Sequence, residues 1–312
     1  MRLFGKAEKK NGWLAIGLTA DGVQAAAIER RTDGLPKVLL AASYPGKADE
    51  AGASLARLGK DLHANRYQCT TLLGQGGYQL LMVDAPNVPE AEMKTALGWR
   101  VKDMIDFPLE QATIDMALLP PGNGSNQARQ AFAVAARNSV LMPHQQLFAD
   151  SKIALTAIDI GEMAQRNISA LLEPEGRGLA LLAFDADGGM LTVSYQSELY
   201  LARRIDITLN QLLDPDHERL HQLYERITLE LQRSLDHFER QFSQVTVAKL
   251  VLSPVGEGGL CTYLTTNLYL PVEQLDLGKV LDLSAAPGLQ EPAQQAGFLR
   301  TLGAALREGA SA

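Results

Sequence analysis

The 312-residue chain has little cysteine, no long apolar run and no excess of basic charge. Its two cysteines, Cys69 and Cys261, lie far apart, each beside an apolar or threonine residue. They have neither metal nor redox spacing and read as small buried side chains in a reducing compartment. No apolar stretch approaches the ~20 residues a membrane helix needs. The opening MRLFGKAEKK is basic but has no apolar core and no cleavage site, so it does not read as a secretory signal. Leu3 and Phe4 among Arg2, Lys6, Lys9 and Lys10 are too few to anchor a chain to a membrane, and the stretch reads as a tail. With 29 basic against 36 acidic residues the net charge is −7, which excludes a broad nucleic-acid surface. Ready-made catalytic sets are also missing: there is no Gly-x-Ser-x-Gly elbow, no Walker A and no cysteine paired with a nearby histidine. His63 and His144 stand alone in polar helical contexts.

What is present is an α/β pattern that occurs twice. "WLAIGL", "VQAAAIERR" and "KVLLAASY" form a strand meander joined by Asp-Gly turns. A helix over residues 50–64 and the strand "CTTLLG" follow. A block of different texture begins at Tyr78. Strand "YQLLMVDAP" leads to a helix opened by Pro89 with acids in its first turn, its buried face reading Met93, Leu97, Val101 and Met104. A hairpin around the loop Pro121-Gly-Asn-Gly-Ser, a helix over 139–150 and strand "IALTAIDI" complete this block. After the helix 162–172 and the hinge "EPEGRG" comes a second meander, then the long helix 214–241, the strand "AKLVLS" and a closing helix over 291–306. The expected division is 1–77 with 161–177, an inserted unit 78–160, and a second lobe 178–312.

One motif invites a metal reading. His217-Glu218-Arg219-Leu220-His221 is a literal H-E-x-x-H on the long helix, with the histidines on one face. Asp214 as cap and Pro215 at the first position place it in the first turn. The apolar stripe Leu220, Tyr224, Ile227, Leu231, Leu235, Phe238, Phe242 leaves both histidines on or beside a solvated face. Neither His237 nor Glu239 stands at a fixed third-ligand spacing, so no metal site is expected.

Two lobes that each open with a three-stranded meander resemble the actin-like ATPase fold, with an insert of the type shared by FtsA and PilM. "YQLLMVDAPNVPEAEMKTALGWRVKDMIDFPLEQATIDMALLP", residues 78–120, resembles the MshI branch of the PilM family, from the mannose-sensitive haemagglutinin (MSHA) type IV pilus system. "FDADGGMLTVSYQSELYLARRID" and "LELQRSLDHF" fall where that family has its second phosphate loop and the following helix. The resemblance implies three nucleotide loops, and this chain departs from each. In Ala15-Ile-Gly-Leu-Thr-Ala-Asp-Gly-Val-Gln, Gly17 stands where a metal-orienting aspartate belongs, Thr19 where a glycine belongs and Gln24 where a lysine belongs. The second loop reads Asp185-Ala-Asp187 instead of D-x-G, followed by Gly188 and Gly189. The third, Leu252-Ser-Pro254-Val255-Gly256-Glu257, has proline and valine in place of paired glycines. A carboxylate at Asp187 facing a phosphate about 5 Å away, at an effective dielectric near 20, costs about 3 kcal/mol, roughly a hundredfold in affinity.

The resemblance therefore implies a catalytically silent scaffold without a cofactor. A nucleotide-binding ATPase that uses the inter-lobe cleft, with Asp185 holding magnesium, is the alternative. It also implies a cytoplasmic protein held at the inner membrane through a PilN-like (MshJ-type) protein, whose N-terminal segment would lie between the first subdomain and its insert. It leaves open a second contact with the assembly motor ATPase. The partner-facing candidates are Met93, Leu97, Trp99, Arg100 and Phe107. Met93 and Leu97 also fit an ordinary core stripe, whereas Trp99 and Arg100 fall off it.

Overall fold

The structure, a computed structural model, describes residues 12–120 and 129–308. The basic tail and the expected hairpin loop at Pro121–Ser125 lie outside the described residues. The first lobe opens with β1 (Trp13–Thr19), β2 (Gly22–Glu29) and β3 (Lys37–Pro45). After α1 (Ala51–Asp61) and β4 (Gln68–Leu73) comes the insert: β5 (Tyr78–Asp84), α2 (Glu90–Val101), β6 (Ala112–Leu118) and β7 (Gln130–Arg137). The chain returns through α3 (Asn138–Asp150), β8 (Leu155–Ile160) and α4 (Gly161–Leu172). The second lobe holds β9 (Gly178–Asp185), β10 (Gly188–Tyr195), β11 (Glu198–Ile205), a short α5 (Leu209–Leu212), α6 (His217–Gln241) and β12 (Val247–Leu252). It closes with α7 (Gly259–Asn267), β13 (Val272–Gln274) and α8 (Pro292–Ala305).

The five-stranded sheets are ordered β3-β2-β1-β4-β8 and β11-β10-β9-β12-β13, the same topology twice. In each, the first strand pairs antiparallel with the second and parallel with the fourth. The meander turns follow from sequence. At Asp21-Gly22 the glycine takes φ +133°, a value closed to side-chain-bearing residues, and Thr19 Oγ1 closes the turn by donating to Gly22 O at 3.1 Å. Strands β9 and β10 are apolar on both faces because helices cover both sides, and nearly every residue in them is buried. On one side lies α6, which buries Ile227, Leu231, Leu235 and Phe238, each worth about 1.5–3 kcal/mol. On the other lie α4 and α8.

Three expectations change. Helix α6 starts at His217 with Asp216 as its cap, because the Asp216 carboxylate accepts from the Glu218 and Arg219 amides; Asp214 instead accepts from Asp216 N. Helix α2 ends at Val101, so Met104 leaves the apolar stripe and is 50% exposed. The segment expected to close the insert packs on the first lobe: β8 runs parallel to β4, and Phe148 of α3 joins a core with Leu55 and Leu58. The insert's own core lies between α2 and the β5-β7-β6 sheet.

The lobes meet where α4 crosses α8. Gly303 lies so close to α4 that a Cβ there would overlap the backbone carbonyl of Ala164, and Asn167 Nδ2 donates to Gly303 O at 2.8 Å. Next to Ala164, fully buried Gln165 donates from Nε2 to Leu181 O, Met190 O and Thr192 Oγ1 at 2.8–3.1 Å, fastening α4 to the second sheet. Gly303→Ala is expected to lower unfolding free energy by about 1–3 kcal/mol through overpacking. Gly297→Ala in the same helix, where a new methyl meets nothing within 4 Å, should be neutral or stabilising. Urea denaturation of both variants checks the contrast; equal midpoints would remove the crossing from its place in the fold.

Candidate functional site in the inter-lobe cleft and on the insert

The cleft is framed by the β1–β2 and β9–β10 turns, and helix α8 contributes a side chain to each side of it. Thr301 Oγ1 donates to Gln24 Oε1 at 3.3 Å, and a Cβ at Gly17 would stand 3.1 Å from that same oxygen. The neighbouring Arg300 forms an ion pair with Asp185 Oδ2, while Asp185 Oδ1 accepts from Asp187 N at 2.9 Å. Both carboxylate oxygens of Asp185 are thus engaged within the chain. Asp187 is exposed.

The glycines there have packing reasons. Gly188 takes φ +136°, which the hairpin requires. A Cβ at Gly189 would lie 2.6 Å from the Phe184 ring and 3.1 Å from Ile205 Cβ. In the third loop Val255 is buried in the second-lobe core, and Gly256 takes φ +50° beside Leu213. A nucleotide with magnesium needs free carboxylate oxygens, an open glycine loop and a lysine. These residues offer an engaged carboxylate, a loop with proline and valine in place of paired glycines, and a glutamine, so they do not fit the group.

Behind the cleft stands a buried polar cluster that the sequence reading did not single out. Glu162, in the first turn of α4, is only 2% exposed. Its carboxylate accepts from Tyr78 Oη and pairs with Arg204 Nη2 at 3.3 Å, and the Arg204 guanidinium lies 5.0 Å from the Tyr78 ring centroid. The α4 N-terminus adds favourable partial charge. Tyr78 belongs to the insert, Glu162 to the first lobe and Arg204 to the second, so one cluster joins all three. Burial, the Glu162 charge and its hydrogen bond raise the Tyr78 phenol pKa well above its usual value. The available signals were a tyrosine opening the most distinctive segment and a glutamate opening a helix; neither identifies its partners.

On the insert, Met93, Leu97 and Phe107 are buried, the last beneath the Arg137 guanidinium at 4.4 Å. Burial takes these three candidates out of direct reach of a partner. Trp99 is 62% exposed, with Lys102 Nζ 5.5 Å from its ring centroid. Arg100 is exposed and donates from Nη1 to Asp84 O at 2.9 Å, tying α2 to the end of β5. The H-E-x-x-H pair is exposed, with His221 against Glu225 and Tyr263. Among the described residues no group of three or more His, Cys, Asp or Glu could hold a metal ion.

No protein-family model matches the chain, and neither does any curated protein. The architecture is similar to the solved PilM-PilN type IV pilus biogenesis complex, with TM-score 0.76 and 20% identity over 96% of this chain and 98% of that one. It is also similar to a Bacteroides thetaiotaomicron protein with actin-like ATPase fold and unknown function, at TM-score 0.51 and 11% identity over 91% and 97% of the two chains. At these identities the likeness shows the fold: the chain has the actin-like ATPase fold.

Tyr78→Phe removes one of two partners from a buried carboxylate and is expected to cost about 1–3 kcal/mol at neutral pH. The phenol is held neutral in the folded state, so its contribution is intact below the unfolded pKa near 10 and is lost as pH rises through the folded value. The wild type should therefore lose stability above about pH 10 more steeply than Tyr78→Phe, as urea unfolding across that range would show. Parallel alkaline limbs would contradict the assignment.

Proposed function

We propose that the chain is a non-catalytic actin-like scaffold of type IV pilus assembly that binds the N-terminal cytoplasmic segment of a PilN-like inner-membrane protein. The observation that carries this reading is the likeness to the PilM-PilN complex over 96% of the chain, insert included. Residues 78–120, which resemble the MshI branch, support an MSHA-type system and an MshJ-type partner. The scaffold would then sit at the cytoplasmic side of the inner membrane through that partner; among the described residues no helix is long and apolar enough to cross a membrane.

The cleft supports silence in chemistry. Asp185 is held by Arg300, Gly17 lies against Thr301, and Val255 of the third loop is committed to the second-lobe core. Hydrolysis of ATP is expected to stay below ~0.01 per second, far under typical turnover. Faster turnover that disappears in Asp185→Ala would establish the ATPase reading instead.

For partner contact the outer face of α2 offers Trp99 and Arg100, an exposed aromatic and an exposed guanidinium of the kind that anchors interfaces. Trp99→Ala or Arg100→Glu should weaken binding of a synthetic PilN-like N-terminal peptide by about 2 kcal/mol or more. Asp187→Asn, on the exposed cleft turn, should leave that affinity unchanged. Calorimetry on the three variants tests this, and the reverse pattern would move the partner site into the cleft.

A further inference from the structure

A groove of about 390 Å³ separates the insert from the second lobe, away from both the cleft turns and the outer face of α2. Its floor is the face of the β5-β7 pair that α2 does not cover: Leu80 and Met82 of β5 are half-buried there, and Phe132 is buried against the second-lobe core. One wall is β11 at residues 201–203. This strand ends its sheet and pairs only with β10, so one row of its backbone donors and acceptors has no partner strand. Near one end, Tyr78 of β5 and Arg204 of β11 meet on Glu162. Gln241 of α6 spans to Met82 Sδ and Gln130 Oε1 at 3.3 and 3.2 Å. The groove therefore has tied ends and an open mouth.

Its charge has one sign. Arg203 and His237 stand at the rim, both exposed, and among the described residues neither makes an ion pair or a side-chain hydrogen bond. Arg204, the next residue on β11, is spent on Glu162. Half-buried Leu80 and Met82 side chains, an unpaired strand edge and an unneutralised guanidinium call for apolar side chains, a backbone in extended form and a carboxylate. A free fatty acid would satisfy the floor and the cation but leave the strand edge unpaired. A peptide satisfies all three.

We propose that this groove receives an extended acidic-apolar peptide segment that pairs with the free edge of β11, lays alternate side chains on Leu80 and Met82, and meets Arg203 with a carboxylate. The site is independent of the PilN-like contact assigned to α2. The volume accommodates a few side chains, so the segment is short and its binding weak unless tethered.

Fluorescence anisotropy tests it with a labelled, acetylated peptide of alternating leucine and aspartate on the whole protein. Saturable binding is expected, weakened about tenfold by Arg203→Glu, which removes a charge-assisted contact, and largely kept by Arg203→Lys. Trp99→Ala should leave it unchanged, which separates this site from the α2 face. The same peptide with lysine for aspartate, or with methylated backbone nitrogens, should bind at least tenfold more weakly. Absence of saturable binding overturns the proposal, as does equal binding of the lysine peptide or indifference to Arg203→Glu in a variant with native circular dichroism. Equal binding of the methylated peptide removes the strand pairing. Arg203-dependent binding of decanoate in place of the peptide assigns the groove to a small amphiphile instead.

Discussion

Backbone contact between α4 and α8 is the constraint on which the rest of the molecule depends. Each helix follows the last strand of its lobe, so the crossing is where the two halves of the duplication touch. Gly303 allows the approach because any side chain there would occupy the space of the Ala164 carbonyl. Asn167 and Gln165 then satisfy polar groups that the approach buries. The same closeness sets the chemistry of the cleft. Arg300 and Thr301 lie within one turn of Gly303, so seating that glycine carries the guanidinium to Asp185 and the hydroxyl to Gln24. The inter-lobe cleft is thus bridged by the helix that holds the lobes together.

The second organising element is electrostatic. Glu162 is a buried carboxylate with two partners from different parts of the chain, and removing either leaves a charge with little water to solvate it. Such clusters are weak evidence for net stability, since an apolar set of the same shape can be as stable. What Glu162 does supply is position: Tyr78 and Arg204 can meet it only when the insert and the second lobe are correctly placed. The insert is therefore held by the Glu162 cluster, by the contacts of Gln241 to Met82 and Gln130, and by apolar contact of Leu119 and Phe132 with the second-lobe core. That arrangement leaves the outer face of α2 and the groove beside β11 exposed, the two surfaces for which partner contacts are proposed.

Particular residues show how far the sequence could be read. The paired glycines after Asp187 looked like a phosphate turn with its charge spoiled. Their real reason is a hairpin at Gly188 and the Phe184 ring against Gly189. Phe107 was a partner-facing candidate through the family resemblance, yet it lies under Arg137 and is buried in the insert's core. Asp214 and Asp216 are equally good caps by composition, and only the backbone path decides that Asp216 accepts the free amides. Trp99 was separable from its neighbours by helical spacing alone, and the structure exposes it.

Apolar periodicity and turn residues were enough for the sequence to determine the two meanders and the long amphipathic helix, and the departures in the nucleotide loops were legible only through the family resemblance. These are local properties, set by residues within a few positions of one another. Tertiary structure alone decided that Arg300 would engage Asp185, that Tyr78 and Arg204 would share Glu162, and that β5 and β11 would flank an open groove. Those contacts join residues far apart in the chain, and the free energy that selects them arises only when the lobes pack. No short stretch of sequence carries their signature.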